Sequence, residues 1–384
     1  MMNKMRKKGA MRLPKSTTKL KQYFPMIRER EDIKREIREN PKLLEKYREW
    51  DEEQQEEFLD YCTGVKGVKV LYDAFFKEIM NPENTPERFN ELLSLLLGQS
   101  VTIKRVLPGD STRLADEQSL LIMDILVELA DTSLANVEVQ KIGYSFPGQR
   151  SACYSSDLLL RQYKRVKGEK KKAFSYKDIK SVYTIVFFET SIKEFHEYPQ
   201  NYIHKFKQQS DTGLELELLQ KYVFIPLDIF RTIYHNNVKS NGKNGGGNCW
   251  NRTEAWLTFL STDEPEIIIE LIRQYPEFKE MYEEIYVMCQ NVEKVMEMFS
   301  KELIQLDRNT VQYMIDEMQD TIDVQKETID TQKEKLEEQK TTINTQKEEL
   351  EAKQNTIDTQ KDEIETMKQQ LQSVMAQIEQ LKKQ

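Results

Sequence analysis

Apolar and polar positions alternate along MDILVELADTSLANVEVQKI, residues 123–142, in two runs rich in Val, Ile and Leu separated by a polar tip. A period of two with such a tip predicts a β-hairpin. Asp124, Glu138 and Gln140 interrupt the apolar runs where further aliphatic side chains would pack better. Successive side chains of a strand point to opposite faces, so Glu138 and Gln140 share one face while Val137, Val139 and Lys141 take the other. With the turn centred near Asp131 and Thr132, Asp124 falls opposite or diagonal to Glu138. Opposed side chains have Cβ atoms only about 5 Å apart, where like charges destabilise a sheet unless something positive lies between them. A hard divalent cation would serve, Mg²⁺ favouring a few carboxylates with water and phosphate. The alternative is that both acids face solvent or pair with Arg150 and Lys141.

Elsewhere the pattern divides the chain. Residues 1–22 are basic and read as a mobile arm, and residues 23–66 as a charged extension of two amphipathic helices broken near Pro41. The stretch 67–191 is mixed α/β, and 192–306 reads as mostly helical. The glycine-rich NNVKSNGKNGGGN at 236–248 lacks the Gly-Lys-Ser/Thr ending of a phosphate-binding loop and reads as a surface connection. From Ile322 an apolar residue recurs every seven, through Ile329, Leu336, Ile343, Leu350, Ile357, Ile364, Leu371 and Ile378, with mostly glutamine three positions later. A strict heptad predicts a left-handed coiled coil over 307–384, the array extending about 95 Å. The expected assembly is a parallel homodimer or trimer through residues 315–384, firmest toward Met367, Val374 and Leu381. A solitary charged helix or disorder is the alternative.

Composition narrows the setting. A chain of 384 residues with 38% apolar, 32% charged and 9% aromatic residues suits a globular part with exposed helical appendages. No run approaches the 18 or so apolar residues of a membrane span. The four cysteines have no paired spacing and the three histidines no metal-ligand spacing, which suits free thiols in a reducing, cytoplasmic setting. The net charge of −8 argues against a protein that coats nucleic acid. Two local basic runs remain: the N-terminal arm, and RQYKRVKGEKKK at 161–172 with seven bases and one acid. Such runs are solvated helix ends unless a phosphodiester site lies nearby.

Several pieces in order resemble the PD-(D/E)XK nuclease family transposases, also described as recombination-promoting nucleases. They are DAFFKEIM (73–80), FNELLSLLLGQSVTIKRV (89–106), the acidic hairpin with its E-x-Q, RSACYSSDLLLRQYKRVKGE (150–169), YKDIKSVYTIVFFE and RTEAWLTFL (252–260). The resemblance spans roughly residues 70–318. It implies a restriction-endonuclease-like α/β core over 67–191 with helical additions, ahead of the coiled coil. By that likeness Asp124 and Glu138 are metal-binding acids joined by the main-chain carbonyl of Val139, and Gln140 stands where the wider superfamily has a catalytic lysine. Arg150 and Tyr154 are candidates for the scissile phosphate, with helix capping and core packing as their structural alternatives. Arg161, Lys164, Arg165 and Lys167 are candidates for the DNA backbone, and Glu117 for an additional acid. The implied activity is Mg²⁺-dependent DNA endonucleolysis, with Mn²⁺ as the alternative ion. A catalytically weak nucleic-acid-binding scaffold that keeps the fold is the other reading, because a neutral amide stabilises developing charge less well than an ammonium.

Overall fold

The computed structural model describes residues 18–108, 125–142, 147–233 and 250–381, in two compact units, residues 1–314 and 315–384. Residues 1–17 of the expected arm and the glycine-rich 236–248 lie outside the described residues. Within the expected arm, Thr18 caps helix Lys19–Tyr23, and Leu20 is fully buried. Three helices follow, Arg30–Glu39, Pro41–Glu49 and Glu52–Cys62, where two were expected. The break at Pro41 forms because Asn40 accepts from Lys42 N and proline tolerates the first helical position. A second break falls after Trp50, where Asp51 and Gln54 make a reciprocal capping box.

Six strands form one mixed sheet: β1 (Ile103–Leu107), β2 (Ile125–Leu129), β3 (Leu134–Ile142), β4 (Val182–Thr190), β5 (His204–Phe206) and β6 (Gln220–Pro226). Their spatial order is β1-β2-β3-β4-β6-β5. The pairs β3/β4 and β4/β6 are parallel and the others antiparallel. The 24-residue helix Pro147–Lys170 makes the crossover that a parallel β3/β4 pair requires. The stretch 192–306 is mostly helical where it is described, as expected, but strands β5 and β6 carry the sheet past residue 191. The run YVFIP of β6 is short, apolar and without alternation, and periodicity alone does not separate such a run from buried helix.

The two sheet faces differ. One carries Val127, Leu129, Ala135, Val137, Ile185, Phe187 and Ile225 into a large core shared with the N-terminal and C-terminal helices. The other face has two separate apolar clusters. Leu126, Leu134 and Val182 meet Tyr154 and Leu158 of the crossover helix, and Val186, Phe188 and Phe224 meet Phe195 and Ile229. Between them, on the same strand faces, stand Asn136, Glu138, Gln140 and Thr184. All four are at most 5% exposed. An aliphatic side chain buried there would stabilise the fold by about 1.5–3 kcal/mol each, so packing does not account for them.

A helix of 90 residues, Val292–Leu381, ends the described chain. Within the first unit its Phe299 packs against Trp50 and Phe58, with ring centroids 5.0 and 5.7 Å away. The second unit is this helix alone. Its heptad residues from Ile322 to Ile378 lie 45–67% exposed, so the expected helix is present and, among the described residues, no other helix of the chain covers them. No described helix is long and apolar enough to cross a membrane.

Candidate active site

The β2–β3 hairpin is tied at a tight tip. Leu129 N donates to Ser133 O at 2.9 Å, and Asp131 Oδ1 accepts from Ser133 N. Thr132 takes the left-handed conformation, φ 72°, that such a tip needs. The turn is therefore centred where the sequence predicts it. Its register pairs Glu128 with Leu134 and Ile125 with Val137, the last described rung. Asp124 and Glu117 lie outside the described residues.

Alternation along β3 places Asn136, Glu138 and Gln140 on one face, beside Thr184, Val186 and Phe188 of β4. Asn136 Nδ2 donates to Glu138 Oε1 at 2.9 Å. Among the described residues, Asn136 Oδ1, Gln140 Oε1 and Thr184 Oγ1 are buried without a hydrogen-bond partner. Unmet buried acceptors of this kind are rare in folded proteins and ask for an explanation. Val139 sits between Glu138 and Gln140 with its side chain turned to the main core.

Lys141 does not substitute for a lysine at position 140. It is 6% exposed on the opposite face. There its ammonium lies 3.0 Å from Glu302 and 3.5 Å from Glu189, and 4.3 Å from the centre of the Tyr72 ring. A buried cation held by two carboxylates and an aromatic face is a structural element of that core.

The crossover helix packs on the same face of the sheet. Arg150 Nε donates to Tyr154 OH at 3.1 Å, and its guanidinium lies 5.6 Å from the ring centre. Tyr154 also packs into the apolar cluster, so it keeps the structural role weighed for it. Ser151 and Ser155, one turn apart, are buried with no hydroxyl partner among the described residues. Further along, the expected backbone-binding residues divide. Arg161 forms an ion pair with Asp157 at 2.8 Å, and Arg165 donates to Glu128, so both engage groups of the protein itself. Lys164 and Lys167 are exposed.

Glu128, absent from the sequence expectations, is the anchor of this end. It is 2% exposed and receives Lys104 at 3.0 Å, Arg105 at 2.7 Å and Arg165. Burial pushes its carboxyl up, but hydrogen bonds from Lys104 and Arg105 and the charge of Arg165 outweigh it and hold the group below its ordinary 4.5.

The oxygens gathered on this face of β3 and β4, a carboxylate with amide oxygens and the Thr184 hydroxyl, fit a hard cation such as Mg²⁺ and not a soft one. Among the described residues no three His, Cys, Asp or Glu side chains gather as a metal group. Sequence reasoning missed Asn136, Thr184, Ser151 and Ser155. The i, i+2 spacing of Asn136 before Glu138 and the i, i+4 spacing of the serines were the available signals.

Compared with known proteins, residues 70–316 match the family model described as PD-(D/E)XK nuclease family transposase. No curated protein and no solved structure matches the chain.

Proposed function

The chain belongs to the PD-(D/E)XK nuclease family transposases, and from that premise we propose that it is a Mg²⁺-dependent DNA endonuclease acting in recombination or mobile-element movement. The observation that carries this reading is the buried polar row Asn136–Glu138–Gln140, set between two apolar clusters on that face. Asp124, one residue before the last described rung, supplies the second carboxylate of the proposed site. Asp124, Glu138 and the Val139 carbonyl would hold the ion, with Mn²⁺ as an alternative. When bound, such an ion lowers the pKa of water and offsets phosphate charge.

The chain's own groups do the rest. Asn136 fixes the Glu138 carboxylate through its amide. Gln140 orients the attacking water and donates to a phosphate oxygen, though with less charge stabilisation than a lysine gives. Arg150, positioned by Tyr154, contacts the scissile phosphate, and Lys164 and Lys167 hold the backbone without reading sequence. Association of two or three chains through residues 315–384 would present more than one active site to a duplex.

Nicking of supercoiled plasmid, with Mg²⁺ and with EDTA, tests the reading. Nicking should need the ion, and Asp124→Ala and Glu138→Ala should each abolish it in folded protein. Parent-like nicking by either variant refutes the assignment. One observation favours a second reading, a weakly catalytic scaffold of the same fold: position 140 is an amide and the adjacent Lys141 is engaged on the other face. Mg²⁺-independent DNA binding without any nicking would select it.

A further inference from the structure

Beyond the crossover helix, the chain builds an aromatic surface that the proposed cleavage chemistry does not use. Tyr163, Phe174 and Tyr176 contact one another with ring centroids 5.4–6.2 Å apart. The Tyr163 and Tyr176 planes are nearly parallel, at 12°. Tyr176 is 74% exposed, so its ring adds little to the core. The exposure is built in: Ser175 and Asp178 cap the short turn Tyr176–Asp178 reciprocally and fix it in place.

Two further features of this segment are unfavourable for stability alone. Residues 167–178 hold five lysines against two acids, Glu169 and Asp178, of which Asp178 pairs with Lys170, and the remaining like charges so close repel. Lys171 adopts a left-handed backbone, φ 48°, the bend that brings Phe174 and Tyr176 back beside Tyr163. A side chain other than glycine or asparagine is disfavoured there. Strain, repulsion and exposed rings at one place point to a ligand. Lys167 Nζ, meanwhile, donates to Tyr163 OH at 2.7 Å and lies 5.1 Å from the ring centre, so cation and ring are held together.

We propose that Tyr163, Phe174 and Tyr176, ringed by Lys167, Lys171, Lys172 and Lys177, form a stacking platform for unpaired bases of substrate DNA. Aromatic faces accept any base, and lysines beside them follow the phosphates, which is how single strands are held without sequence preference. Duplex DNA offers its charge but keeps its base faces stacked inside. The platform rests on the reading of DNA as substrate and deepens it: the preferred substrate has an unpaired stretch at a set distance from the cut. Gln162, next to Tyr163, donates to Thr132 O at 3.0 Å at the hairpin tip. From Thr132 to Glu138 along the strand is about 20 Å, or about six nucleotides at duplex spacing.

The test is fluorescence anisotropy with the full chain in EDTA, where no cleavage intervenes, using oligothymidine and a blunt duplex as probes. Tyr176→Ala, and Tyr176→Leu as a bulky non-aromatic control, should each weaken oligothymidine binding about tenfold and leave duplex binding unchanged. Lys167→Ala should lower the salt dependence on both probes by about one counterion. Parent-like oligothymidine affinity in Tyr176→Ala, equal losses on both probes, or no oligothymidine binding by the parent would each overturn the platform. Plasmid nicking is read separately. A parent that nicks but shows no ring dependence overturns the platform alone, whereas ring-dependent binding without nicking overturns the nuclease reading alone.

Discussion

Asn136 and Glu138, two residues apart on one face of β3, are joined by a 2.9 Å hydrogen bond from amide to carboxylate, both side chains being almost fully buried. Asn136→Ala removes that donor from a buried acid. The expected cost is about 1–3 kcal/mol of stability, measured by urea denaturation of the metal-free protein. Asn136→Ala as stable as the parent would show that the amide does not support the acid.

Gln140→Lys restores the residue type of the wider superfamily at a site 4% exposed. Cleavage should be preserved or rise if the amide stands in for a lysine. A loss of a hundredfold or so, of the size that removing a charge-stabilising donor produces, would instead mean that the amide itself orients the water. Gln140→Ala should lower cleavage in either case.

Lys141→Met keeps the volume of the side chain but leaves Glu189 and Glu302 facing each other without their cation. Removing one partner of a buried ion pair costs about 3–5 kcal/mol. Glu302→Gln in the same chain should recover part of that loss. Nicking per folded molecule should stay near the parent's. A folded Lys141→Met that no longer nicks would return Lys141 to the candidate catalytic set.

Glu128 makes stability depend on pH in a definite direction. Its folded pKa lies below its ordinary value of 4.5, so its contribution is complete above that value and is lost as pH falls through the folded pKa. Glu128→Gln should therefore lower Tm near neutrality by removing the anion that Lys104, Arg105 and Arg165 share. It should also flatten the loss of Tm below about pH 4.5. An acid limb as steep as the parent's would place that titration elsewhere.

Removing residues 320–384 should convert an oligomer to monomers, measured by sedimentation or light scattering. Nine heptad positions from Ile322 to Ile378 remain roughly half exposed on the single helix, and a partner helix would bury them. The truncated protein should retain weak Mg²⁺-dependent nicking and lose paired-strand cutting. A full-length chain that stays monomeric at tens of micromolar would exclude the assembly.

Legibility in the sequence followed the strength of each physical signal. The hairpin, its turn at Asp131 and Thr132, the shared face of Glu138 and Gln140 and the opposite placement of Lys141 all follow from period-two alternation. The long helix followed from its heptads. Strand β6 did not emerge, because a run buried on both faces carries no period. Asn136, Thr184, Ser151 and Ser155 escaped because small neutral polar residues occur in cores and loops alike, and only the fold shows all four buried. The fates of Arg161 and Arg165 depended on Asp157 and on Glu128, the latter thirty-seven residues from Arg165 and brought near by the crossover.

The tight tip from Leu129 to Ser133 carries a consequence for how this chain tolerates insertions and deletions. One residue added there, absorbed as a register slip, would turn Ala135, Val137 and Val139 toward the crossover helix and send Asn136, Glu138 and Gln140 into the main core. Two added residues would restore the faces. An insertion scan across 129–134 should show an odd–even rhythm in soluble expression, with single-residue insertions depleted and two-residue insertions partly retained.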